Sequence, residues 1–189
     1  MNDVVDFVIT WVDGNDPVWV KDRNDYAMQA NCEVDNRNVR FRDWENLKYW
    51  FRGVEKFTPW VNNIYFVTYG HLPQWLNVNH PKLKIVKHSD YIPKEYLPTF
   101  NSNVIEFYFH RIEGLSDKVV YFNDDHFILD HVEKSRFFRN GLPCDMAGMT
   151  AISYTKPTIF DCSIYLSTAL INKHFNKAEV MSRYFTKWF

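Results

Sequence analysis

The chain has 189 residues, of which 46% are hydrophobic and 18% aromatic, and its formal net charge is −1 at pH 7. This length and apolar content allow a domain with its own core, whereas the near-neutral charge offers no basic field to hold a nucleic acid. The apolar runs fall far short of the roughly 20 residues that a membrane-spanning helix needs, so the sequence predicts no transmembrane segment.

The cysteines and the N-terminus indicate a cellular location. Cys32, Cys144 and Cys162 are far apart and form no Cys-x-x-Cys pair, which argues against a disulfide framework or a zinc site. Reduced thiols are typical of cytoplasmic proteins, and the first residues lack the basic and apolar segments of a signal peptide. We therefore expect a cytoplasmic protein, with peripheral association at the inner face of the membrane left open.

Short runs rich in β-branched and aromatic residues predict the strands. These runs lie at 4–12, 64–68, 83–86 and 119–122, with a further short strand near 146–152. Between the first two runs, the polar stretch 18–41 predicts a loop with a short helix.

Apolar residues at helical spacing predict the helices. These helices cover 43–57, 103–113, 161–175 and 178–189. The buried stripe of the first is expected to consist of Trp44, Leu47, Phe51 and Val54. Because strands alternate with helices, the sequence predicts an α/β fold with a mostly parallel central sheet and helices on both faces, formed by one domain over residues 1–189.

In such sheets, ligands bind beyond the carboxyl ends of the strands. Two polar loops follow predicted strands in this way: Asp13–Pro17 after the first strand, and Asn123, Asp124 and Asp125 after the fourth. We therefore expect a site for a cation and phosphates where these two strands end.

The adjacent carboxylates of Asp124 and Asp125 repel each other unless a cation or hydrogen-bond donors lie nearby. Mg²⁺ or Mn²⁺ bound by both would relieve this repulsion and would also bridge the phosphates of a nucleotide-sugar. The alternative interpretation is a solvated turn. His126, which follows directly, is more simply interpreted as an exposed residue than as a metal ligand.

The loop after the first strand offers a second set of polar groups. Gly14 would allow the backbone to approach a ligand closely, and Asp13 and Asp16 could bind ribose, base or metal. The alternative is a tight turn closed by Asx hydrogen bonds.

Arg40 and Arg42 precede the predicted helix 43–57. Two guanidinium groups beside a helix N-terminus suit a diphosphate. The alternative is a pair of ordinary surface arginines.

The predicted helix 103–113 carries candidate acid/base residues. Asn103, Glu106 and His110 would share one side of this helix, with Arg111 nearby. Glu106 would orient His110, whose unperturbed pKa of about 6.5 suits a general base. The alternative is a solvated helix face.

Asn101 and Ser102 precede this helix and could line a sugar pocket. The alternative is that one of them caps the helix.

Several enzyme classes lose their main support because their motifs are absent. The sequence contains no P-loop, no G-x-G-x-x-G, no H-E-x-x-H and no G-x-S-x-G. ATP phosphotransfer by a P-loop, Rossmann redox chemistry, zinc peptidase and serine hydrolase activity are therefore disfavoured.

Ordered blocks of this sequence resemble the signature regions of the Stealth family. The first region corresponds to about residues 4–17, with the run Val5–Pro17, and the second to about 40–130. The blocks of the second region are Arg40–Asp43, Phe57–Val61, Ile64–Thr68, Pro73–Leu76, Leu97–Ser102, His110–Ser116 and Tyr121–Asp125. So many blocks in one order are far more specific than any single motif.

This resemblance implies a function and a fold. Stealth proteins include bacterial capsular and exopolysaccharide phosphotransferases and the catalytic subunit of N-acetylglucosamine-1-phosphotransferase. They transfer a hexose-1-phosphate from a UDP-sugar to a glycan hydroxyl and release UMP, and their core is similar to the glycosyltransferase type A fold. We expect a UDP-sugar donor, a glycan acceptor and Mg²⁺ or Mn²⁺ as the metal.

Roles for individual residues follow from combining the residue patterns with this resemblance. Asp124, Asp125, His110 and Arg111 are expected to be catalytic, with Asp124 and Asp125 also binding the metal. The substrate-binding candidates are Asp13, Gly14, Asp16, Arg40, Arg42, Asn101, Ser102, Glu106 and Asn123.

The third and fourth signature regions of the family are not found in this sequence, so we expect a catalytic portion truncated at its C-terminus. Two other functions stay open. One is a conventional metal-dependent glycosyltransferase that attacks the anomeric carbon and releases UDP. The other is a non-catalytic remnant that binds a nucleotide-sugar or a carbohydrate.

Overall fold

The computed structural model describes residues 4–30, 44–144 and 158–183. The chain divides into two compact units, Met1–Cys144 and Asp145–Phe189. The first unit contains the central sheet, and the described part of the second consists of two helices. A single domain over 1–189 stays a prediction.

The central sheet has four strands, all parallel. The strands are β1 (Asp6–Trp11), β2 (Ile64–Thr68), β3 (Leu83–Lys87) and β4 (Val119–Phe122). Their order across the sheet is β3-β2-β1-β4. All four predicted strands are present within one or two residues of their predicted bounds, and the predicted α/β class with a parallel sheet is confirmed.

Six α-helices lie in the described part of the chain. They are α1 (Pro17–Ala30), α2 (Leu47–Phe57), α3 (His88–Tyr91), α4 (Ser102–Phe107), α5 (Ile159–His174) and α6 (Lys177–Arg183). Short 3₁₀ turns occupy Lys94–Tyr96, Phe109–Arg111 and Lys134–Arg136. Among these helices, none combines the length and the apolar character needed to cross a bilayer.

A small hairpin follows the sheet. Its strands are β5 (Phe138–Arg139) and β6 (Leu142–Pro143), which pair antiparallel. Asn140 and Gly141 connect them with positive φ angles of 53° and 81°, the conformation of a type I′ turn. The Asn-Gly pair was a sequence signal for this hairpin that our prediction missed.

The core lies on both faces of the sheet because successive residues of β1 point in opposite directions. Phe7 and Ile9 pack on one face in a cluster that includes Trp50 of α2. Val8 packs on the other face with Tyr91 of α3 and with Ile112. This two-sided burial confirms the predicted helices on both faces and is consistent with the glycosyltransferase type A fold that the resemblance implies.

Two predictions in the N-terminal half were partly wrong. Of the stretch 18–41, predicted as a loop with a short helix, residues 18–30 all lie in the 14-residue helix α1, and residues 31–41 lie outside the described residues. The buried side of α1 is narrow, consisting of Trp19 and Arg23 one turn apart, with the Arg23 guanidinium 4.8 Å from the centre of the Trp19 ring. Such a narrow buried side gives the sequence little apolar periodicity from which the helix could be predicted.

In the helix predicted over 43–57, the buried stripe was partly wrong. Trp44 is 67% exposed and lies before α2, whereas Trp50 is fully buried. Leu47 and Val54 are buried as predicted. Asp43, the strand predicted near 146–152 and residues 184–189 lie outside the described residues.

Close packing anchors the segment that follows β4. A Cβ atom added to Gly53 of α2 would lie 2.6 Å from the carbonyl oxygen of Ile128, so only glycine allows this approach. The backbone N–H of Val132 donates to Phe57 O at 3.2 Å, and Trp60 Nε1 donates to Val132 O at 2.7 Å.

Asp6 is a buried carboxylate at the amino end of β1. Its Oδ1 accepts hydrogen bonds from Asn62 Nδ2 at 2.8 Å and from the backbone of Asn63 at 2.9 Å. Its Oδ2 accepts one from the backbone of Ser116 at 2.9 Å. One carboxylate therefore joins the segments that lead into β2 and β4 to the central strand.

We expect Asp6→Asn to lower the free energy of unfolding by about 2–3 kcal/mol, because the side-chain amide would turn N–H groups toward at least one of these donors. Urea denaturation would measure the change. Asp117→Asn, at an exposed position, is the matched control and should have an effect within about 0.5 kcal/mol. Equal stability of the two variants would contradict a structural role for the Asp6 carboxylate.

Candidate functional site

The loops after β1 and β4 lie side by side at one edge of the sheet. The two strands are neighbours, with Ile9 paired to Phe122 in parallel register. The strand order also reverses here, because β2 and β3 lie on one side of β1 and β4 on the other. This is the position where open α/β sheets bind ligands, and it brings the two predicted loops together.

The loop after β1 is a compact turn. Asp13 Oδ1 accepts a hydrogen bond from the backbone of Asn15 at 2.9 Å, and Gly14 lies within the turn. Asp16 Oδ1 accepts one from the backbone of Trp19 at 2.7 Å and so caps α1. In each carboxylate, one oxygen therefore makes an Asx or capping bond, as expected for the tight turn that was the alternative interpretation. Among the described residues, the second oxygen of each carboxylate makes no Asx or capping bond.

His71 joins this turn to the end of β2. Its Nε2 accepts a hydrogen bond from the backbone N–H of Asp13 at 2.8 Å, and its Nδ1 lies 3.9 Å from Asp16 Oδ2. Burial lowers the pKa of His71 below its usual value, although Asp16 and Asp13 act in the opposite direction. Sequence reasoning gave His71 no role, yet its position after β2 placed it at the same edge of the sheet.

Tyr121, near the end of β4, is a second residue that sequence reasoning missed. Its hydroxyl lies 3.2 Å from Thr10 Oγ1, 3.1 Å from Glu106 Oε1 and 2.6 Å from Asn123 Oδ1. Burial, together with the nearby carboxylates of Glu106 and Asp124, raises the pKa of Tyr121 to about 12. A protonated phenol therefore connects α4, β1 and the loop after β4, and two predicted substrate-binding residues, Glu106 and Asn123, meet there.

Asp124 and Asp125 are exposed on the loop after β4. Asp125 Oδ1 lies 2.8 Å from Nδ1 of the neighbouring His126, and both side chains are mostly exposed. Within the described ranges, no group of three His, Cys, Asp or Glu side chains could hold a metal. Two carboxylates still fit Mg²⁺, which typically takes one or two protein carboxylates together with substrate phosphates and water. The metal stays a prediction.

The continuous helix predicted over 103–113 was wrong. α4 ends at Phe107 and a 3₁₀ turn occupies Phe109–Arg111, so the rotation per residue changes from 100° to about 120°. Glu106 bonds to Tyr121, whereas His110 Nδ1 lies 2.9 Å from Phe107 O. The shared helix side on which Asn103, Glu106 and His110 were expected therefore does not form.

His110 and Arg111 are exposed, and both lie near the ring of Tyr108. The His110 ring stacks on it with centroids 6.1 Å apart, and the Arg111 guanidinium lies 5.9 Å from its centre. Their catalytic roles stay predictions.

Asn101 caps α4, because its side chain accepts a hydrogen bond from the backbone of Asn103 at 3.0 Å. This is the alternative that the sequence had left open. Ser102 is the first residue of α4 and is exposed. Arg40 and Arg42 lie outside the described residues.

Aromatic rings hold the segment before α4 against α1 and the end of β2. Phe100 stacks on Tyr69 with centroids 5.8 Å apart and meets Trp19 edge-on at 5.8 Å. The hydroxyl of Tyr69 donates to Asp22 Oδ2 at 2.7 Å. These contacts bring the segment that leads to Asn101 and Ser102 to the carboxyl edge of the sheet.

A cavity of about 510 Å³ lies elsewhere in the first unit. It is lined by the second half of α2 and the first residues of β2 and β3, including Val54, Ile64 and Leu83. The cavity therefore lies toward the amino ends of these strands, far from the loops that follow the carboxyl ends of β1 and β4, which we call the acidic loops. We assign the candidate site to the carboxyl edge because the charged and hydrogen-bonding groups converge there.

His88 is a buried histidine next to this edge. It follows β3, and its ring meets the Tyr69 ring edge-on at 6.0 Å. In the part of the chain that the structure describes, its buried Nδ1 has no hydrogen-bond partner. Burial, and secondarily the nearby His71, lowers the pKa of His88 from 6.5 to about 4.

Comparison with known proteins links this geometry to a family. Residues 3–29 match the family model described as Stealth protein CR1, conserved region 1. Residues 40–145 match the model described as Stealth protein CR2, conserved region 2. The two matches include both acidic loops.

Curated relatives align along most of the chain. A capsular polysaccharide phosphotransferase, WcwK, of Streptococcus pneumoniae is 48% identical over 98% of this chain and 56% of its own length. A capsular polysaccharide phosphotransferase, eps5J, of Streptococcus thermophilus is 54% identical over 74% of this chain and 59% of its own. An exopolysaccharide phosphotransferase, cps2G, of Lactiplantibacillus plantarum is 41% identical over 98% and 54%. The chain thus spans somewhat more than half the length of these relatives.

We expect the folded protein to lose stability as the pH falls from about 6.5 to about 4, because the unfolded chain takes up a proton on His88 and the folded chain does not. The contribution is on the order of 3 kcal/mol. Urea denaturation at several pH values would measure it, and His88→Gln should flatten the pH dependence over this range. His80→Gln, at an exposed position, should leave the slope unchanged, and an unchanged slope in His88→Gln would contradict the prediction.

Proposed function

The chain belongs to the Stealth family, and from this membership we propose that it carries the donor side of a sugar-phosphate transferase site. The reaction would move a hexose-1-phosphate, such as N-acetylglucosamine-1-phosphate, from a UDP-sugar to a glycan hydroxyl in capsular or exopolysaccharide synthesis. The observation that carries the proposal is the juxtaposition of the two acidic loops at the ends of β1 and β4, in a chain whose relatives are named polysaccharide phosphotransferases.

The donor would bind across the end of β1. The second oxygens of Asp13 and Asp16 would accept hydrogen bonds from the ribose or the base. Arg40 and Arg42 would neutralise diphosphate charge. Tyr121 would hold Glu106 and Asn123 in place beside the sugar, because its hydroxyl contacts both.

The chemical step would be an in-line attack of an acceptor hydroxyl on the phosphorus that bears the sugar. A new phosphorus–oxygen bond forms, the bond to the UMP oxygen breaks, and the acceptor proton passes to a base, for which His110 is the candidate. A divalent cation held by Asp124 and Asp125 would offset the charge on the phosphates. Such reactions depend mainly on positioning and charge stabilisation.

The nucleotide that is released tests the proposal. With UDP-N-acetylglucosamine, Mg²⁺ and a capsular oligosaccharide, we expect UMP to accumulate in step with a phosphodiester-linked product, measured by chromatography and ³¹P NMR. Release of UDP would instead indicate a conventional glycosyltransferase. Binding in calorimetry without any nucleotide release would indicate a non-catalytic nucleotide-sugar binder.

The cytoplasmic location and the peripheral membrane association stay predictions.

Asp124→Asn should lower kcat for UMP release by about 100-fold or more, because the reaction depends on charge stabilisation at the diphosphate. Steady-state kinetics at several Mg²⁺ concentrations would measure the loss. Asp130→Asn, at an exposed position further along the same segment, should keep nearly full activity. Turnover of Asp124→Asn close to that of the unmodified chain would remove Asp124 from the site.

A further inference from the structure

His71 presents a hydrogen-bond acceptor to the turn after β1. A backbone N–H can only donate, and that of Asp13 lies 2.8 Å from His71 Nε2. Nε2 must therefore be unprotonated, and the proton of the neutral ring is on Nδ1. Nδ1 is the nitrogen that faces Asp16 Oδ2 at 3.9 Å, so one imidazole lies against both acidic residues of the turn.

The orientation of this ring is fixed by its surroundings. Thr68 Oγ1 donates to the backbone carbonyl of His71 at 2.8 Å, which holds the residue close to the end of β2. The ring meets the Trp11 ring at a centroid distance of 5.3 Å and an angle of 87°, and only 12% of the side chain is exposed. Burial favours the neutral ring, which is the form that accepts the bond.

We propose that His71 is a positioning residue of the donor site, whose neutral ring holds the Asp13–Asp16 turn in the conformation that receives the nucleotide-sugar. The inference rests on the proposed function, which assigns this turn to the donor. Two further bonds, from Asn15 to Asp13 and from Asp16 to Asp13, are internal to the turn, and Asp16 caps α1. The bond to His71 instead ties the turn to the second strand, which is paired along its length with β1.

Two variants distinguish the effect of the hydrogen-bond acceptor from the effect of the aromatic ring. His71→Phe keeps an aromatic ring against Trp11 but removes the acceptor. His71→Gln removes the ring and keeps a side-chain carbonyl that can accept a hydrogen bond. His174→Phe, at an exposed position of α5, is the matched control for replacing a histidine with a phenylalanine.

The measurements are amide hydrogen exchange by NMR and the Kd of UDP-N-acetylglucosamine by calorimetry. In His71→Phe we expect the Asp13 amide to exchange about 10-fold faster and the Kd to rise about 10-fold, the size expected for one lost hydrogen bond. In His71→Gln both changes should stay within about 3-fold. The unfolding temperature of each variant should shift by only about 4 °C or less, which separates positioning from a general loss of stability.

Unchanged exchange at Asp13 in His71→Phe would overturn the inference, as would equal losses of affinity in the two variants. If the unmodified chain does not bind the nucleotide-sugar, the proposed function fails. In that case the exchange rates alone decide whether His71 holds the turn. Failure of the proposed function and failure of the inference about His71 are therefore distinguishable.

Discussion

β1 is hydrogen-bonded along both edges, to β2 on one side and to β4 on the other. Phe7, Val8 and Ile9 are fully buried, so the strand cannot shift its register by one residue without exchanging the residues of its two faces. This double pairing fixes where β1 and β4 end relative to each other. The position of each acidic loop follows from it, because both loops begin within a few residues of a paired position.

Two neutral polar side chains connect the acidic loops to the ordered sheet by hydrogen bonds. The His71 ring ties the turn after β1 to the end of β2, and the Tyr121 hydroxyl ties the loop after β4 to β1 and α4. Both groups favour their neutral forms. Burial lowers the pKa of His71 against the effect of Asp16 and Asp13, whereas burial and the nearby carboxylates both raise the pKa of Tyr121. They can therefore hold the loops after β1 and β4 without adding charge to the candidate site.

The sequence predicted the sheet, because strand signals and strand ends are local properties, and the structure brings the two predicted loops together at one edge of it. Sequence reasoning failed where long-range contacts decide the outcome. Thr10 and Tyr121, for example, are separated by 111 residues, and no periodicity reveals their bond. The helix over 103–113 was predicted as continuous from its apolar spacing, whereas the chain tightens after Phe107. As a result, the partner of Glu106 is Tyr121 rather than His110, with which it was predicted to share a helix side.

The contact between Gly53 and Ile128 limits how far the loop after β4 can move. Phe122 is held in the sheet and Ile128 is held against α2, so the loop between them has five residues, 123–127, and Asn123 within it is also bonded to the Tyr121 hydroxyl. A span this short, fixed at both ends, can reorient peptide planes and side chains but cannot swing across a substrate. In the proposed function, any covering of the donor would therefore have to come from another part of the protein, with Asp124 and Asp125 as a fixed wall of the candidate site.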